Sequence, residues 1–503
     1  MGMGGGICQP ALAVRTDACK VSNMNNAPTL YWFRADLRLA DNPALTAAMA
    51  RGAPLACVYV LDDGPRRPMG GASRWWLHHS LAALDAALRA HGNRLWLFRG
   101  DPASLLPALA GHLDAGLVVW NRRYGKPGRD LDAALKAELK AAGRTVETFN
   151  AALLREPWEV RTTTGTPMKV FTPFWRAARA LGPFAPPLPA PAALPPAPPA
   201  LPGAVPLEAL GLLPVKPDWA GGLRATWQPG EAGAQARLTE FLEGGLSGYA
   251  ELRDRPDRDN TSRLSPYLAF GEIGPRQIVQ AADLLESSGT ARFSPADNAK
   301  FQSELGWREF AHHLFFEQFD MATKGINPKF DAFPWIRDEA ALAAWQKGRT
   351  GYPIVDAGMR QLWQTGIMHN RVRMVVASFL IKHLQIDWRE GERWFWDTLV
   401  DADPANNAAS WQWVAGCGAD AAPYYRIFNP MLQGVKFDPN GDYVRTFVPE
   451  LARMPAEHIH APWEAPAAVL ARAGVSLGKT YPRPMVDHAM ARTRAMEAYA
   501  SLA

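Results

Sequence analysis

Short apolar runs alternate with amphipathic helical patterns over residues 28–155 of the chain. Between the runs, the apolar residues of Ser73–Ala90 and Gly128–Ala142 recur at helical spacing. Strands separated by helices form parallel sheets, so the pattern predicts a doubly wound α/β domain over residues 28–155. No G-x-G-x-x-G follows the first strand, which argues against a dinucleotide fingerprint. The predicted strands are Thr29–Phe33, Pro54–Leu61, Arg94–Phe98, Gly116–Trp120 and Thr145–Phe149.

A stretch rich in proline and alanine interrupts this pattern between Phe184 and Pro217. Such a composition favours an extended, stiff chain without an apolar stripe. We interpret it as part of a long interdomain linker over residues 156–218 that wraps the protein surface. A ligand for an SH3-type domain is the alternative.

Helical periodicity dominates the remainder of the chain, and runs rich in Val and Ile are few. This pattern predicts an all-α domain over residues 219–503. The predicted helices are Gln235–Glu243, Pro275–Glu286, Asp297–Phe319, Ala340–Lys347, Asp356–Thr365, Arg371–His383, Glu392–Val400 and Val486–Ala500.

Composition and charge narrow the class of protein. The 503 residues suffice for two or more domains with separate cores. The chain has 54 Lys and Arg against 49 Asp and Glu, and this formal net charge of +5 permits binding to a polyanion without requiring it. Nineteen Trp fit either a large aromatic core or stacking and electron-transfer chemistry.

The cysteines and the N-terminus indicate the compartment. Cys8, Cys19, Cys57 and Cys417 contain no C-x-x-C pair, which argues against a disulfide framework or a zinc site. No apolar run reaches the roughly 18 residues of a membrane span, and the first residues lack the core of a signal peptide. We expect a cytoplasmic protein without a metal site, with residues 1–27 as a disordered extension and Met24 as an alternative start.

The stretch from Asp401 to Pro430 has the most unusual composition. It combines Asp and Asn side chains with Trp411 and Trp413 and with small residues such as Ala408 and Gly416. Small residues let a backbone approach a flat partner, while polar groups and indoles suit the edge and face of a heteroaromatic ring. Composition leaves a second interpretation open, a turn rich in Gly and Asn followed by a buried aromatic helix.

Two further segments carry candidate chemistry. Hydroxyl residues and Arg within Thr261–Ser265 precede a helix, where free N–H groups attract phosphate, although an ordinary N-cap has the same composition. Glu304, Trp307 and Arg308 share one helical face. They could bind a flipped base or form a surface cluster with a cation–π contact.

Motifs along nearly the whole chain resemble those of the DNA photolyase/cryptochrome family. They are TLYWFRADLR from Thr29 and the sequences WQW and DAAPYYRIFNP within Asp401–Pro430. The latter two look most like bacterial class I cyclobutane pyrimidine dimer photolyases. The resemblance implies an α/β antenna-type domain followed by a helical FAD-binding catalytic domain, with FAD as the cofactor.

The resemblance also implies which residues hold the FAD. Thr261–Ser265 match the pyrophosphate site, Arg373 matches a partner of Asp401 beside the isoalloxazine ring, and Asn407 matches the residue near ring atom N5. Asn at that position is compatible with full reduction of the flavin. The predicted cofactor-binding residues are Tyr249, Thr261, Ser262, Arg263, Leu264, Ser265, Phe301, Glu304, Arg308, Arg373, Asp401, Asp403 and Asn407.

Other matches imply a lesion pocket and an electron relay. In the pocket, Arg253 and Arg371 would meet DNA phosphate, and His369 is interpreted as structural. The predicted substrate residues are Arg253, Glu304, Trp307, Asn370, Arg371, Met374 and Trp413. Trp335, Trp388 and Trp411 match the family's electron-transfer triad, and with Glu304 and Asn407 they form the predicted catalytic set.

The implied activity is light-dependent repair of cyclobutane pyrimidine dimers in DNA by electron transfer from photoexcited reduced FAD. We expect a monomer that binds damaged duplex or single-stranded DNA. Gly125 follows Asn121-Arg-Arg-Tyr124, where folate-binding relatives carry Glu, so a folate antenna is disfavoured and a deazaflavin or no antenna remains. The main alternative is a cryptochrome-like blue-light receptor, although the chain has no long polar tail after its last predicted helix. Repair of (6-4) photoproducts is disfavoured because MHNRVRM lacks the His context of that branch.

Overall fold

A five-stranded parallel sheet forms the centre of the N-terminal part in a computed structural model of the chain, which describes residues 26–64, 67–318 and 320–502. The strand order is β3-β2-β1-β4-β5, and Thr29 pairs with Leu55 on one side and with Leu117 on the other. All five strands lie within one residue of their predicted bounds. They are β1 (Thr29–Phe33), β2 (Leu55–Leu61), β3 (Leu95–Arg99), β4 (Leu117–Asn121) and β5 (Thr145–Phe149).

Helices cover both faces of this sheet. Alternate residues of a strand face opposite sides, so Tyr31 packs in one core with Trp76, while Trp32 packs in another with Leu106 and Leu135. This confirms the predicted doubly wound α/β fold. The helices of this part are α1 (Pro43–Met49), α2 (Gly71–Ala90), α3 (Pro102–His112) and α4 (Lys126–Ala141).

The predicted linker over residues 156–218 is not extended throughout. It contains helix α5 (Phe171–Ala180), whose Phe174 is buried against Phe310 of the helical part. The proline-rich remainder runs along the α/β part, where Leu55 N donates to Pro196 O over 3.0 Å. Apart from a 3₁₀ turn at Leu207–Leu210, no helix or strand interrupts it between residues 184 and 217. The boundaries at residues 28, 155 and 218 stay a prediction, and residues 1–25 of the predicted extension lie outside the described residues.

The rest of the described chain is helical, as predicted. Two π-helical turns, Phe241–Gly245 and Phe379–His383, extend helices α7 and α14. The helices are α6 (Gly221–Thr226), α7 (Glu231–Glu240), α8 (Tyr249–Leu252), α9 (Ser265–Phe270), α10 (Pro275–Ser287), α11 (Pro295–Glu317), α12 (Glu339–Gln346), α13 (Pro353–Thr365), α14 (Asn370–Ser378), α15 (Trp388–Thr398), α16 (Pro404–Ala415), α17 (Pro430–Phe437), α18 (Asp442–Phe447), α19 (Ala456–Ile459), α20 (Ala467–Ala473) and α21 (His488–Ala500). None of the helices in the described ranges is both long and apolar enough to cross a lipid bilayer.

Local sequence signals fix the two helices that matter most for the site. Helix α11 begins at a capping box, in which Ser294 Oγ accepts from Asp297 N and the Asp297 carboxylate accepts from Ser294 N. Helix α16 begins with Asp403 as N-cap and Pro404 at its first turn, and it ends at Gly416 with a φ of 85°. The two helices pack against each other, and α15 packs on α16 from another side.

Candidate cofactor and substrate site

A cavity of about 580 Å³ opens in the helical part of the protein. Its walls come from α8, α9, α11, α14, α15 and α16 and from the turns that precede them. Most of the predicted site residues line this one cavity although they are spread over 165 positions of sequence. They are Tyr249, Arg253, Thr261, Ser262, Arg263, Ser265, Phe301, Glu304, Trp307, Arg308, Asn370, Arg371, Arg373, Met374, Asp401, Asp403, Asn407, Trp411 and Trp413.

Leu264 is the exception among the predicted cofactor residues. Its side chain is only 1% exposed and belongs to the hydrophobic core, so it does not line the cavity. Arg237 stabilises the turn around Leu264, because its guanidinium donates to the carbonyls of Thr261 and Ser262 over 2.8 Å each. Arg263 in this turn has a φ of 51°. The binding of the cofactor by Leu264 stays a prediction, and its backbone belongs to the turn that precedes α9.

Asp401, Arg373 and Asn407 form a polar part of the cavity lining, which we call the floor. Asp401 Oδ2 accepts from Ser265 Oγ over 2.7 Å and from Arg373 Nη2 over 2.8 Å, which confirms the predicted pairing of Arg373 with Asp401. Its Oδ1 is buried and has no hydrogen-bond partner among the described residues. Because buried carboxylate oxygens are rarely left unpaired, this atom is a ready acceptor for an N–H group of a ligand.

Asp403 anchors the start of α16 next to this floor. Its carboxylate accepts from the amides of Ala405 and Asn406 over 3.0 and 2.7 Å, and His312 Nε2 lies 3.3 Å from it. Burial alone would raise the pKa of Asp403, but the imidazole of His312, the Arg308 guanidinium and the Asn406 amide together hold that pKa well below its usual range. Asp403 thus stays ionised and links the start of α16 to His312 of α11.

Asn407 and Asp403 are one helical turn apart, and both line the cavity. The Asn407 Nδ2 group donates to Glu392 Oε1 over 2.8 Å and to the Glu392 carbonyl over 3.0 Å. Neither Glu392 nor His312 is predicted from the sequence as a site residue, because neither the composition nor the spacing of the chain links them to the cavity.

Glu304 and Trp307 form a second part of the cavity lining, which we call the mouth, and two cations contact Glu304. Arg253 donates to both of its carboxylate oxygens, and Lys300 Nζ lies 3.1 Å from Oε1. The Lys300 contact was missed, although its i, i+4 spacing from Glu304 is a recognisable signal. On the same helix, one face of Trp307 stacks on Phe171, with ring centroids 3.8 Å apart and an interplanar angle of 10°.

The start of α14 forms another part of the cavity lining, which we call the rim. His369 caps the helix, since its Nδ1 accepts from Arg371 N over 3.2 Å, and burial lowers the pKa of His369 to about 4. The imidazole is therefore neutral near pH 7, in agreement with its structural interpretation. Arg371 donates to Asp254 in a short ion pair and lies 4.5 Å from the ring centroid of Phe437.

Trp335, Trp388 and Trp411 lie on three segments that contact one another in that order. The backbone N–H of Ile336, next to Trp335, donates to Gln385 O over 2.8 Å, three residues before Trp388. Trp411 packs on α15 beside Gly391, where an added Cβ would lie 2.1 Å from Trp411 Cη2. Trp411 and Trp388 are buried, whereas Trp335 is partly exposed. Their role as an electron relay stays a prediction.

The residues of the cavity fit a flavin nucleotide. An unpartnered carboxylate oxygen on the floor suits an N–H group of the ring, and an arginine-bearing turn before α9 suits phosphate. The volume lies within the range of small-molecule and cofactor sites, about 300–1,000 Å³. Fold and site together define a two-domain protein whose helical half binds a nucleotide cofactor.

Comparisons with known proteins identify the family. Residues 29–193 match the model described as DNA photolyase, and residues 301–501 match the FAD binding domain of DNA photolyase. The chain is 52% identical to a deoxyribodipyrimidine photo-lyase of Agrobacterium fabrum, over 95% of this chain and 99% of that protein. It is 38% identical to cryptochrome-1 of Arabidopsis thaliana, over 94% of this chain and 70% of that protein. The chain belongs to the DNA photolyase/cryptochrome family, and FAD is its cofactor.

A solved structure agrees with this assignment. The chain superposes on a bacterial class III photolyase from Agrobacterium tumefaciens with a TM-score of 0.92 and 53% identity, over 95% of this chain and 98% of that one. The motifs predicted a likeness to class I photolyases. The relatives do not decide between class I and class III.

Proposed function

We propose that the chain is a deoxyribodipyrimidine photo-lyase that repairs cyclobutane pyrimidine dimers in DNA under light. The observation that carries the proposal is a single cavity that combines the polar floor of Asp401, Arg373 and Asn407 with the mouth formed by Glu304 and Trp307. A cofactor on the floor and a base at the mouth would then be neighbours. Relatives that bear this enzyme's name over the whole chain support the same activity.

Residues of the floor would hold the FAD. The free Asp401 Oδ1 would accept from the ring, and Thr261, Ser262, Arg263 and Ser265 would bind the phosphates. When bound and reduced, FAD supplies the photoexcited electron that splits the cyclobutane ring. The Arg373 guanidinium, already paired with Asp401, would add positive charge beside the cofactor and favour its reduced form.

Residues of the mouth would hold the lesion. Trp307 and Trp413 would provide aromatic walls, and Glu304 would accept hydrogen bonds from the base edge. Asn370 and Met374 share a face of α14 and would contact the dimer from the rim. A dimer is poorly stacked, so extruding it into the cavity costs less than extruding a normal base.

Binding to damaged DNA would require two arginines of the cavity lining to exchange their carboxylate partners for DNA phosphate. Arg253 and Arg371 are each paired with a carboxylate, Glu304 and Asp254, in the structure. Phosphate would have to compete for these guanidinium groups, which makes the binding dependent on salt but not on sequence. We propose that the protein acts as a monomer on duplex or single-stranded DNA, in the cytoplasm at the nucleoid.

Trp335, Trp388 and Trp411 would carry electrons from the protein surface to the cofactor. The gradient of exposure, from the partly exposed Trp335 to the buried Trp411 at the cavity wall, supports this direction. The relay would reduce the cofactor and would not take part in each repair cycle.

A repair assay on two defined lesions tests the proposal. Purified protein, loaded with FAD and reduced by blue light with a thiol, is mixed with oligonucleotides that contain one thymine cyclobutane dimer or one (6-4) photoproduct. We expect loss of the cyclobutane dimer in the light only, and no loss of the (6-4) product. If FAD-loaded, reduced protein leaves the dimer intact in the light, the enzyme proposal fails and the cryptochrome-like receptor is favoured.

A further inference from the structure

An arginine of the α/β part reaches into the helical part behind the cofactor site. Arg67, on the connection between β2 and α2, donates from Nη1 and Nη2 to Glu392 Oε1 and Oε2 over 2.7 and 2.6 Å. Its guanidinium also stacks on Trp396 at 4.1 Å from the ring centroid, and Trp396 Nε1 donates to Pro68 O over 2.8 Å. Glu392 and the ring of Trp396 therefore both hold the Arg67 guanidinium in place.

Glu392 connects Arg67 to the cavity. Its side chain is only 1% exposed, and both its carboxylate and its backbone carbonyl accept from the side-chain amide of Asn407. A carboxylate and a carbonyl are acceptors only, so they admit one orientation of the amide. Nδ2 must face Glu392, and Oδ1 is the end of Asn407 that remains for the cavity that it lines.

The charge of Glu392 strengthens the preference of the Asn407 amide for one orientation. A buried carboxylate without a cationic partner is costly and tends to take up a proton. A protonated carboxyl group can donate as well as accept, so only the backbone carbonyl of Glu392 would then still select this orientation of the Asn407 amide. Arg67 favours the charged form because its two N–H groups compensate the buried charge.

We propose that Arg67 is a positioning residue which, through Glu392, fixes the Asn407 amide with its oxygen towards the cofactor. This inference rests on the proposed function and on the family resemblance, which implies that Asn407 lies near atom N5 of the flavin. A reduced flavin carries an N–H group at that atom, whereas an oxidised flavin has only a lone pair there. An acceptor facing the atom stabilises the reduced form, so the α/β part sets the redox preference of the helical part.

Redox titration of the bound FAD in the dark tests the proposal. The variants are Arg67→Met, which keeps much of the side-chain volume without charge, and Arg67→Lys, which keeps the charge without the bidentate geometry. Arg74→Met is the matched control, because Arg74 also belongs to the α/β part but pairs with Asp63 and the Gly211 carbonyl. FAD content and the thermal unfolding midpoint are recorded for each protein.

We expect the ratio of reduced to oxidised FAD at a fixed applied potential to fall several-fold in Arg67→Met and less in Arg67→Lys. Arg74→Met should titrate as wild type. In an Asn407→Ala background, Arg67→Met should cause no further change, because the effect passes through the Asn407 amide. Equal titration of wild type, Arg67→Met and Arg67→Lys overturns the inference, as does a full Arg67→Met effect in the Asn407→Ala background.

The outcome separates this inference from the proposed function. Wild-type protein that repairs dimers while the Arg67 variants titrate normally refutes only the role of Arg67. Wild-type protein that binds no FAD refutes both. If Arg67→Met lowers the FAD content, the titration of Arg67→Lys tests the inference instead. The ratio of reduced to oxidised FAD at a fixed potential must then be lower in Arg67→Lys than in wild type.

Discussion

Arg253 and Glu304 form a bidentate ion pair at the mouth of the cavity, with Nη1–Oε1 and Nη2–Oε2 distances of 2.5 and 2.9 Å. The motif resemblance implies that Arg253 positions DNA phosphate. In the structure its guanidinium group is instead paired with Glu304, the carboxylate that would bind the lesion. Arg253 therefore orients Glu304, and a phosphate role requires that this pair open when DNA binds.

The salt dependence of binding distinguishes these two roles of Arg253. For Arg253→Met, we expect the Kd for a dimer-containing oligonucleotide to rise about tenfold, which corresponds to about 1.4 kcal/mol. If Arg253 only orients Glu304, the slope of log K against log salt should equal that of wild type. If it also binds phosphate, the slope should fall by about one. Arg337→Met, which removes a 90% exposed guanidinium, is the control for lost charge.

Glu304→Ala should separate repair from cofactor binding. We expect the repair rate under light to fall roughly tenfold to a hundredfold, because a hydrogen bond to a charged group contributes about 1.5–3 kcal/mol. FAD should remain bound, since Asp401 and Arg373 on the floor are unchanged. Glu317→Ala, at the end of the same helix, should repair as wild type. Unchanged repair by Glu304→Ala would remove that residue from the lesion pocket.

Trp411→Phe should abolish photoreduction of the FAD without abolishing repair. Phe is harder to oxidise than Trp, so the step from Trp388 to the cavity wall would be interrupted. Absorbance under blue light with a thiol measures the reduction, and chemically reduced protein is then assayed for repair. Trp363→Phe changes a side chain that is 59% exposed and serves as the control. Wild-type photoreduction by Trp411→Phe would contradict the relay.

A buried carboxyl group where α11 meets the α/β part should make stability depend on pH. Glu309 Oε2 accepts from the amides of Leu154 and Arg155 over 2.8 and 3.2 Å. Burial raises the pKa of Glu309 from 4.5 to about 7, against the opposing effect of Arg308. Between these values the folded protein keeps a proton that the unfolded chain has lost. The contribution of Glu309 to the free energy of unfolding is therefore fully present below pH 4.5 and is lost as the pH rises to 7.

Glu309→Gln tests this sign directly. The neutral amide oxygen of Gln can still accept from Leu154 N. We expect the free energy of unfolding to decrease between pH 5 and pH 8 by about 2–3 kcal/mol less in the variant than in wild type. Thermal unfolding midpoints at both pH values provide the measurement, with Glu317→Gln as the control. Glu272, whose pKa burial raises to about 8, should leave some pH dependence in every variant. An unchanged difference between the two pH values in Glu309→Gln would refute the assignment.

The strands were the most predictable part of the fold. Thr29–Phe33 has the same bounds in sequence and structure, because a buried parallel strand appears as a short apolar run between turn residues. Thr145–Phe149 also has the same bounds, although it is an edge strand that is only partly buried. Helix α5 at Phe171–Ala180 was missed because it lies beside proline-rich sequence and owes its stability to packing on Phe310. The short helices of residues 430–473 were missed for a similar reason, since tertiary contacts rather than periodicity stabilise such helices.

The candidate site was predictable as a set of residues but not as a set of contacts. Motif resemblance gave Asp401, Arg373 and Asn407, and the structure places all three in one cavity. The partners that orient them come from remote positions, as with Glu392 and Arg67, which are 325 residues apart. A pair of this kind leaves no local spacing signal, so only the folded structure reveals it.

Gly125 should resist conversion into the Glu of folate-binding relatives. A Cβ on Gly125 would lie 2.4 Å from Phe315 Cε1 and 2.7 Å from Cζ, so even Gly125→Ala forces the ring to move. We expect Gly125→Ala and Gly125→Glu to lower the free energy of unfolding by about 1–3 kcal/mol, the usual cost of overpacking. Because the clash displaces Phe315 from the start of α4, Gly125→Glu alone should not bind a folate. The double variant Gly125→Glu with Phe315→Ala should recover stability, measured by thermal unfolding with and without folate, whereas wild-type stability of Gly125→Ala would contradict the steric explanation.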